Sequence, residues 1–251
     1  MSGALAIFVK TPSRSALKTR LAATLGREYA DTWYGLAAAA VASVVLRACA
    51  QQGVTPYWAV AEPNAESSWS GLATIAQGDG GLGERMARVH AQLVARHGYA
   101  LLIGADAPQL RADALVEAAE WLGSETAGPD ANPLPARLVL GPATDGGFWL
   151  FGANLVIADE AWTCVKYSQA DTALQFQRAM QPFGVWRMLG ELTDVDHVED
   201  LHALRWALDE LPDPTPEQCA LMDWMDANID APTILEKDRR GCALRQSRAD
   251  H

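Results

Sequence analysis

Residues 4–20 read ALAIFVKTPSRSALKTR and join an apolar run to a basic loop. The run at 4–9 has the length and apolar character of a buried strand. The first 27 residues carry five cations and no carboxylate, in a chain of 251 residues whose formal net charge is -11. These cations are Lys10, Arg14, Lys18, Arg20 and Arg27. Because α/β proteins bind ligands just beyond the carboxyl ends of their strands, the segment predicts a local receptor for a small phosphorylated ligand.

Outside this segment, apolar runs alternate with helical patterns along most of the chain. Strands are predicted at 4–9, 56–60, 73–76, 99–103, 138–140 and 148–151 and near Val185. Helices are predicted at 16–25, 28–51, 84–96, 112–122, 170–180, 198–208 and 216–225. Strands separated by helices indicate a mostly parallel mixed sheet covered by helices on both faces, which is a three-layer α/β/α sandwich.

The chain shows no linker that would divide it, so residues 1–236 are predicted to form one domain. The segment 124–135 is rich in Gly, Pro, Asn and Asp and predicts an exposed loop. Residues 237–251 are polar and charged and predict a frayed C-terminal tail. The longest apolar stretch, 36–46, is Ala-rich and interrupted by a serine, which favours a buried helix over a membrane span.

Composition narrows the classes of function. A net charge of -11 argues against nucleic acid, which requires a broad basic face, and against anionic membranes. The N-terminus lacks a charged-then-apolar signal region, which predicts a cytoplasmic protein. Four cysteines are widely spaced without a CxxC pair, and the five histidines lack metal-ligand spacing. Neither a disulfide framework nor a zinc site is therefore predicted.

Three segments carry acidic residues where a sheet could present them to a ligand. In LLIGADAP, residues 101–108, a buried strand delivers Asp106 to the sheet edge, as a metal ligand or as a turn or helix cap. In GPATDGGFW, residues 141–149, two glycines follow Asp145 and allow either close ligand approach or a tight turn. In LTDVDHVEDL, residues 192–201, Asp194 and Asp196 alternate on a predicted short strand and face one way. Asp196 is then a second metal ligand or a helix cap.

The segment GDGGLG, residues 78–83, satisfies GxGxxG between a possible strand and a predicted helix. This is the context of a dinucleotide-binding unit, so a dehydrogenase is one alternative. Against it, the preceding strand is weak and ends in polar Gln77, and Glu84 and Arg85 place opposite charges in the first helical turn. The chain has no GxSxG elbow and no Walker loop, so serine hydrolases and P-loop kinases are not indicated.

Five segments between Ile7 and Leu201, taken in order, resemble a known family. The chain is similar to bacterial glycosyltransferases of the nucleotide-diphospho-sugar transferase superfamily, which have the GT-A fold and are often associated with arsenosugar biosynthesis. It is more distantly similar to 2-phospho-lactate guanylyltransferases and molybdenum cofactor guanylyltransferases. The matching segments are a lysine-proline loop with KTRL at 18–21, GGLGERM at 80–86, GADAP at 104–108, DGGF at 145–148 and DVDHVEDL at 194–201.

The resemblance implies how the donor nucleotide is bound. Lys10, Lys18 and Arg20 are implied to contact its phosphates. Gly83 and Arg85, in the GGLGERM segment, are implied to approach the nucleotide. Lys18 and Arg20 are also expected to be catalytic, because a departing phosphate must have its charge stabilised.

The resemblance also implies a metal site and an acceptor pocket. Asp106 and Asp196 are implied to hold Mg²⁺ or Mn²⁺. Asp145, Gly146 and Gly147 fall at the expected acceptor pocket, where Asp145 would orient or deprotonate an acceptor hydroxyl as the third catalytic residue.

The activity implied is transfer of a sugar from a nucleotide-diphospho-sugar donor to a small-molecule acceptor, with a divalent metal. The alternative transferase joins a nucleoside triphosphate to a phosphorylated small molecule and releases pyrophosphate. Two departures from the family stand out: Ser15 stands where a glycine is usual, and His197-Val198 replace Thr-Pro. A non-catalytic nucleotide-binding protein of the same fold is therefore a further alternative.

Overall fold

Seven strands form one sheet, in the order β3-β2-β1-β4-β6-β5-β7, in the computed structural model, which describes residues 2–12, 14–124 and 135–229. The strands are β1 (Gly3–Val9), β2 (Val54–Val60), β3 (Ala73–Ala76), β4 (Tyr99–Gly104), β5 (Arg137–Pro142), β6 (Phe148–Ala153) and β7 (Val185–Met188). All neighbouring strands are parallel except that β6 is antiparallel to β4 and β5. The prediction of a mostly parallel mixed sheet is therefore confirmed.

Helices cover both faces of this sheet. They are α1 (Thr19–Leu25), α2 (Arg27–Gln52), α3 (Leu82–His97), α4 (Ala112–Gly123), α5 (Asp159–Thr163), α6 (Thr172–Met180), α7 (Val198–Asp209) and α8 (Pro216–Asn228), with short 3-10 helices at Glu66–Ser68 and Gln181–Phe183. Buried side chains of α1, α2, α4, α7 and α8 belong to the core on one face. Those of α3, α5 and α6 belong to the core on the other face. The three-layer α/β/α prediction is confirmed.

The first strand lies near the middle of the sheet and is paired on both sides. It pairs with β2 and β4 in parallel along its length. Leu5, Ile7 and Val9 pack into one core, and Ala4 and Ala6 pack into the other. A strand buried on both faces needs apolar residues at every position, which is why its sequence is a continuous apolar run.

Helix α2 is the longest element and packs within one layer. Among the described residues it is the one helix long and apolar enough to cross a membrane by length and composition. However, 61% of its most apolar 18-residue stretch is buried inside the fold. Its buried side chains include Trp33, Val41 and Val45. It ends at Gly53, whose φ of 63° is left-handed and favours a residue without a Cβ. The prediction of a buried helix at 36–46 is confirmed.

Two predicted elements differ from the structure. Helix α1 begins at Thr19 rather than at residue 16, because Lys18 adopts a left-handed backbone with φ 39° and ψ 51°. The predicted short strand carrying Asp194 and Asp196 is wrong, since only Leu192 pairs there, in an isolated bridge to Ala143. The loop predicted at 124–135 lies almost wholly, and the tail at 237–251 lies entirely, outside the described residues.

Candidate active-site cleft

A cleft of about 620 Å³ lies along the sheet edge where β1 and β4 end and β6 begins. In α/β proteins, ligands bind at this edge, just beyond the carboxyl ends of the parallel strands. Seven of the residues predicted to form the site line it: Lys10, Lys18, Arg20, Asp106, Asp145, Gly147 and Asp196. Leu82, Met86 and Phe148 add an apolar part to the same lining. The structure therefore brings most of the predicted site residues to one cavity.

Lys18 is the centre of the polar part of the cleft. Its Nζ lies 3.3 Å from Asp106 Oδ1, 3.1 Å from Asp194 Oδ1 and 3.6 Å from Asp196 Oδ1, and its side chain is only 7% exposed. Arg20 Nη1 donates a hydrogen bond of 2.9 Å to Asp196 Oδ2. The loop after β1, the turn after β4 and the segment before α7 thus meet at one ammonium group. We call Lys18, Asp106, Asp194 and Asp196 the lysine–carboxylate cluster.

The charges of this cluster shift the protonation equilibria of its members. Burial works to lower the pKa of Lys18, but Asp106, Asp194 and Asp196 together outweigh it and raise that pKa above its ordinary value. Burial first, and the charge of Asp106 second, raise the pKa of Asp194 to about 6, because Lys18 offsets only part of these effects. The cluster therefore holds a fully charged ammonium and a carboxylate whose negative charge is disfavoured.

The backbone of Lys18 fixes where its side chain begins. A left-handed conformation is uncommon for a residue with a Cβ and persists only when its surroundings impose it. The ammonium also lies 5.8 Å from the centroid of the Trp33 ring, on helix α2. Ion pairs to three carboxylates and this aromatic contact are the surroundings that hold Lys18 in place.

A carboxylate that the sequence did not single out, Glu62, holds the basic loop after β1. Glu62 Oε2 accepts a hydrogen bond of 2.8 Å from the backbone N–H of Thr11, and its Oε1 accepts one from the hydroxyl of Ser15. Arg27 Nη2 donates to the backbone oxygen of Ser15 at 2.6 Å. Although burial works to raise the pKa of Glu62, the hydrogen bonds from Ser15 and Thr11 lower it. The only sequence signal for Glu62 is a carboxylate just after the second strand.

Ser15 therefore has a structural role of its own in the loop. A glycine at this position, which is usual in the resembling family, has no hydroxyl to donate to Glu62. Lys10, at the start of the loop, is fixed by a 3.1 Å hydrogen bond from its backbone N–H to the hydroxyl of Tyr34. Burial raises the pKa of Tyr34 well above its ordinary value, so this hydroxyl stays protonated.

The double glycine after Asp145 makes a tight turn into β6. Asp145 Oδ1 accepts a hydrogen bond of 2.8 Å from the backbone N–H of Gly147. Gly146 has φ +88°, and a Cβ on it would lie 1.9 Å from the backbone oxygen of Ala170. Gly146 is thus required by the turn and does not line the cleft, whereas Asp145 and Gly147 do. The turn and the close packing against Ala170 explain why a glycine stands at 146.

Gly83 and Arg85, predicted to approach the nucleotide, are not among the residues that line the cleft. Gly83 is buried in α3, and a Cβ on it would lie 2.5 Å from the backbone oxygen of Trp162. Arg85 Nε donates at 2.9 Å to the backbone oxygen of Gly80 and so supports the loop before the helix. Close helix packing and loop support explain these two residues.

The start of α3 also bears on the dinucleotide alternative. Pyrophosphate binds such a helix through the free N–H groups of its first turn. Here Glu84 Oε2 already accepts a 2.6 Å hydrogen bond from the N–H of Gly81, the N-cap residue. Arg88 Nη1 further donates to the backbone oxygens of Gln77 and Asp79 at 2.6 and 3.0 Å. A carboxylate at this position repels a pyrophosphate and argues against the dehydrogenase.

The start of α7 argues against a helix-capping role for Asp196. Asp200 Oδ2 accepts hydrogen bonds from the backbone N–H groups of Asp196, at 2.9 Å, and His197, at 2.6 Å. Asp200 therefore caps the helix, with His197 as the N-cap residue. These bonds also fix the backbone at Asp196 and at His197, whose φ of -121° and ψ of 165° are extended. The Asp196 carboxylate is left to face Lys18 and Arg20.

The donor atoms of the lysine–carboxylate cluster suit a hard divalent cation, because Mg²⁺ and Mn²⁺ prefer carboxylate oxygens. Its three carboxylates place Oδ1 atoms within 3.6 Å of one point. That point is the nitrogen of Lys18, and within the described part of the chain no group of three or more His, Cys, Asp or Glu side chains is arranged to hold a metal ion. In the described conformation the Lys18 ammonium therefore fills the space between the three carboxylates.

Comparison with known proteins gives a family and a fold. A family model described as "Uncharacterized protein conserved in bacteria (DUF2064)" matches residues 36–169, just over half of the chain. No curated protein matches the chain. The crystal structure of a protein from Desulfovibrio desulfuricans G20, provisionally described as a nucleotide-diphospho-sugar transferase, superposes with a TM-score of 0.75 at 23% identity. The match covers 91% of this chain and 97% of that one, and shows that the two share a fold.

Two further structures are similar at lower scores. A CMP:2-keto-3-deoxy-manno-octonic acid synthetase complexed with CTP has a TM-score of 0.48 at 13% identity, over 83% of this chain and 100% of that one. A nucleotidyl transferase from Methanothermobacter thermautotroptrophicus has a TM-score of 0.46 at 12% identity, over 84% of this chain and 98% of that one.

Proposed function

For this chain, which belongs to the DUF2064 family, we propose a transferase activity that uses a nucleotide donor. The observation that carries the proposal is the convergence of Lys18 and Arg20 with Asp106, Asp194 and Asp196 in one cleft at the sheet edge. Ion pairs to a buried ammonium are costly to assemble, and perturbed pKa values in a cleft favour a functional site over a structural one.

The proposed chemistry depends on charge. Transfer of a group from a nucleotide leaves a phosphate or diphosphate whose negative charge must be stabilised in the transition state. Lys10, Lys18 and Arg20 line the cleft at the end of β1 and bind and orient these phosphates. The side chain of Arg20 is 64% exposed, so the other nitrogens of its guanidinium group can reach a ligand while Nη1 stays bound to Asp196.

A divalent metal, when bound, would add a second source of charge neutralisation and in-line orientation for the phosphates. Asp106 and Asp196 are the proposed ligands for Mg²⁺ or Mn²⁺, with Asp194 as a third carboxylate in reach. Asp145 lies beside the start of β6 and orients, or accepts a proton from, the acceptor hydroxyl. Its hydrogen bond to Gly147 fixes one of its oxygens and leaves the other for the acceptor.

Sugar transfer from a nucleotide-diphospho-sugar is the preferred reaction, because the sequence motifs resemble glycosyltransferases most closely. The acceptor would be a small molecule bound against the apolar lining formed by Leu82, Met86 and Phe148.

Nucleotidyl transfer is the second candidate, and the density of positive charge after β1 favours it. Lys10, Lys18 and Arg20 lie within 11 residues and line the cleft together. Fully ionised pyrophosphate carries more negative charge than a nucleoside diphosphate, because neither of its ends is esterified, so its release benefits from more cations. Incubation with donor and acceptor distinguishes the reactions, because nucleotidyl transfer releases pyrophosphate and sugar transfer releases a nucleoside diphosphate.

The first experiment is a thermal-shift screen of nucleotides and nucleotide sugars, with and without Mg²⁺ or Mn²⁺. A ligand that binds only the folded protein raises its melting temperature. We expect one nucleobase class to give a rise that Asp106→Asn diminishes. Asp223→Asn, at an exposed position on α8, is the matched control and should respond as wild type does. A screen without any stabilising nucleotide contradicts the proposal, and binding without turnover supports the non-catalytic alternative.

A further inference from the structure

The lysine–carboxylate cluster contains a cation that belongs to the chain itself. Lys18 Nζ lies between 3.1 and 3.6 Å from oxygens of three carboxylates that come from two other segments of the fold. With its side chain 7% exposed, Lys18 is shielded from solvent, whereas those of Asp106, Asp194 and Asp196 are 38%, 29% and 40% exposed. The ammonium is thus buried beneath carboxylates that face the cleft.

We propose that the Lys18 ammonium is the resident cation of this site, and that a divalent metal replaces it only when phosphate groups of the donor take over Lys18. The proposal rests on the proposed function, because it is the donor that supplies the phosphates. On this proposal the protein binds a divalent metal tightly only when the donor is bound. Lys18 first pairs with the three carboxylates and then with the donor phosphates.

Electrostatics requires the two cations to exclude each other. An ammonium and a divalent ion that share the same carboxylates would repel each other, and the repulsion is stronger in a partly buried site than in water because the effective dielectric constant is lower. Three carboxylates with Lys18 and Arg20 carry one net negative charge, which attracts a divalent ion only weakly. Without the charge of Lys18 the net charge becomes -2, because Arg20 still pairs with Asp196, and a divalent ion is attracted more strongly.

The chain has the means for this exchange. A lysine is a point charge on a flexible four-carbon stem, so it changes partners without a change of fold. Lys18 lies between Lys10, at the start of the loop after β1, and Arg20, in α1, and both of these cations line the same cleft. Phosphates drawn to these two side chains lie beside Lys18 and compete with the carboxylates for it.

The test measures metal binding directly, without turnover. Free Mn²⁺ is titrated by electron paramagnetic resonance into wild type, Lys18→Met and Lys166→Met, all without nucleotide. Met preserves the length of the side chain and removes its charge, and Lys166 is an exposed lysine outside the cluster. We expect Lys18→Met to bind Mn²⁺ at least about 10-fold more tightly than wild type, by relief of the repulsion, and Lys166→Met to match wild type.

A second arm uses inorganic pyrophosphate as the probe and melting temperature as the readout. In wild type, Mn²⁺ alone should leave the melting temperature unchanged, and Mn²⁺ with pyrophosphate should raise it. In Lys18→Met, Mn²⁺ alone should raise it. If circular dichroism shows that Lys18→Met does not fold, Lys18→Gln replaces it in both measurements. The comparison of wild type with Mn²⁺ alone and with Mn²⁺ and pyrophosphate does not depend on either variant.

The proposal is overturned if wild type binds Mn²⁺ alone as tightly as the Lys18 variants do, or if neither binds it. Its failure is distinguishable from failure of the proposed function. A nucleotide that stabilises wild type, together with no gain of Mn²⁺ binding in Lys18→Met, removes this inference alone. A gain of Mn²⁺ binding without any stabilising nucleotide removes the proposed donor and leaves the resident-cation role intact.

Discussion

Replacement of Asp194 by asparagine should stabilise the protein at neutral and alkaline pH, and progressively less toward acid. Burial, with the charge of Asp106, raises the pKa of Asp194 from 3.8 to about 6. Since folding raises this pKa, the folded state binds the proton more tightly than the unfolded state does. Protonated Asp194 therefore contributes to the free energy of unfolding. This contribution is fully present below pH 4 and is lost as the pH rises through 6. Asparagine resembles the protonated form and keeps the stabilisation at every pH.

The magnitude follows from the difference between the two pKa values. A difference of about 2 pH units at 1.36 kcal/mol for each gives about 3 kcal/mol. Because the side chain is 29% exposed, solvent screening reduces the expected effect to about 2 kcal/mol. The free energy of unfolding of Asp194→Asn minus that of wild type should therefore grow by about 2 kcal/mol between pH 4 and pH 8.

Urea denaturation at pH 4, 5, 6, 7 and 8, with a chelator present, measures both proteins under identical conditions. Asp223→Asn removes a carboxylate from an exposed position and serves as the control, with a difference from wild type that stays constant with pH. If the difference for Asp194→Asn is also constant, or grows toward acid, the buried carboxylate is not held against its preference and our account of the cluster fails.

Three further substitutions test the loops around the cleft. Gly146→Ala forces a Cβ against the backbone oxygen of Ala170 at φ +88° and should lower the free energy of unfolding by about 2 kcal/mol or more. Gly190→Ala is the control, because a Cβ there meets nothing within 4 Å, and it should change the free energy of unfolding little. Equal effects of the two substitutions would refute the packing role of Gly146. Ser15→Ala removes the hydroxyl that donates to Glu62 and should lower the free energy of unfolding by about 1 kcal/mol in urea denaturation; the effect should disappear when Glu62 is already alanine, because no side-chain acceptor then remains. Asp145→Asn should lower kcat by about 100-fold with donor affinity unchanged, and loss of donor binding instead would place this residue in the donor site.

Much of the architecture could be predicted because its signals are local. The continuous apolar run at 4–9 predicts a strand buried on both faces, and β1 is such a strand. The Ala-rich pattern before Gly53 predicts a buried helix, and α2 ends at that glycine. Local signals failed where a short segment is held by one side chain, as at 193–197, where Asp200 binds the backbone and no strand forms.

The candidate site could be predicted only in part. Lys18, Asp106 and Asp196 stand in recognisable motifs, and they meet in the cleft. Glu62 carries no motif, and its contact with Ser15 joins positions 47 residues apart. Gly83 matches a motif and yet serves helix packing against Trp162. A motif gives the type of residue but not the direction of its side chain.

By itself the sequence determined most of the segments that become strands and helices, since apolar periodicity and end signals act over a few residues. It also determined that positive charge follows the first strand of an acidic chain. Only the tertiary structure decided that Lys18 meets Asp194, 176 residues away, at 3.1 Å. The reason is that this distance depends on strand order, on register and on the left-handed backbone of Lys18. Contacts between distant parts of the chain set all three, and no short stretch of sequence specifies them.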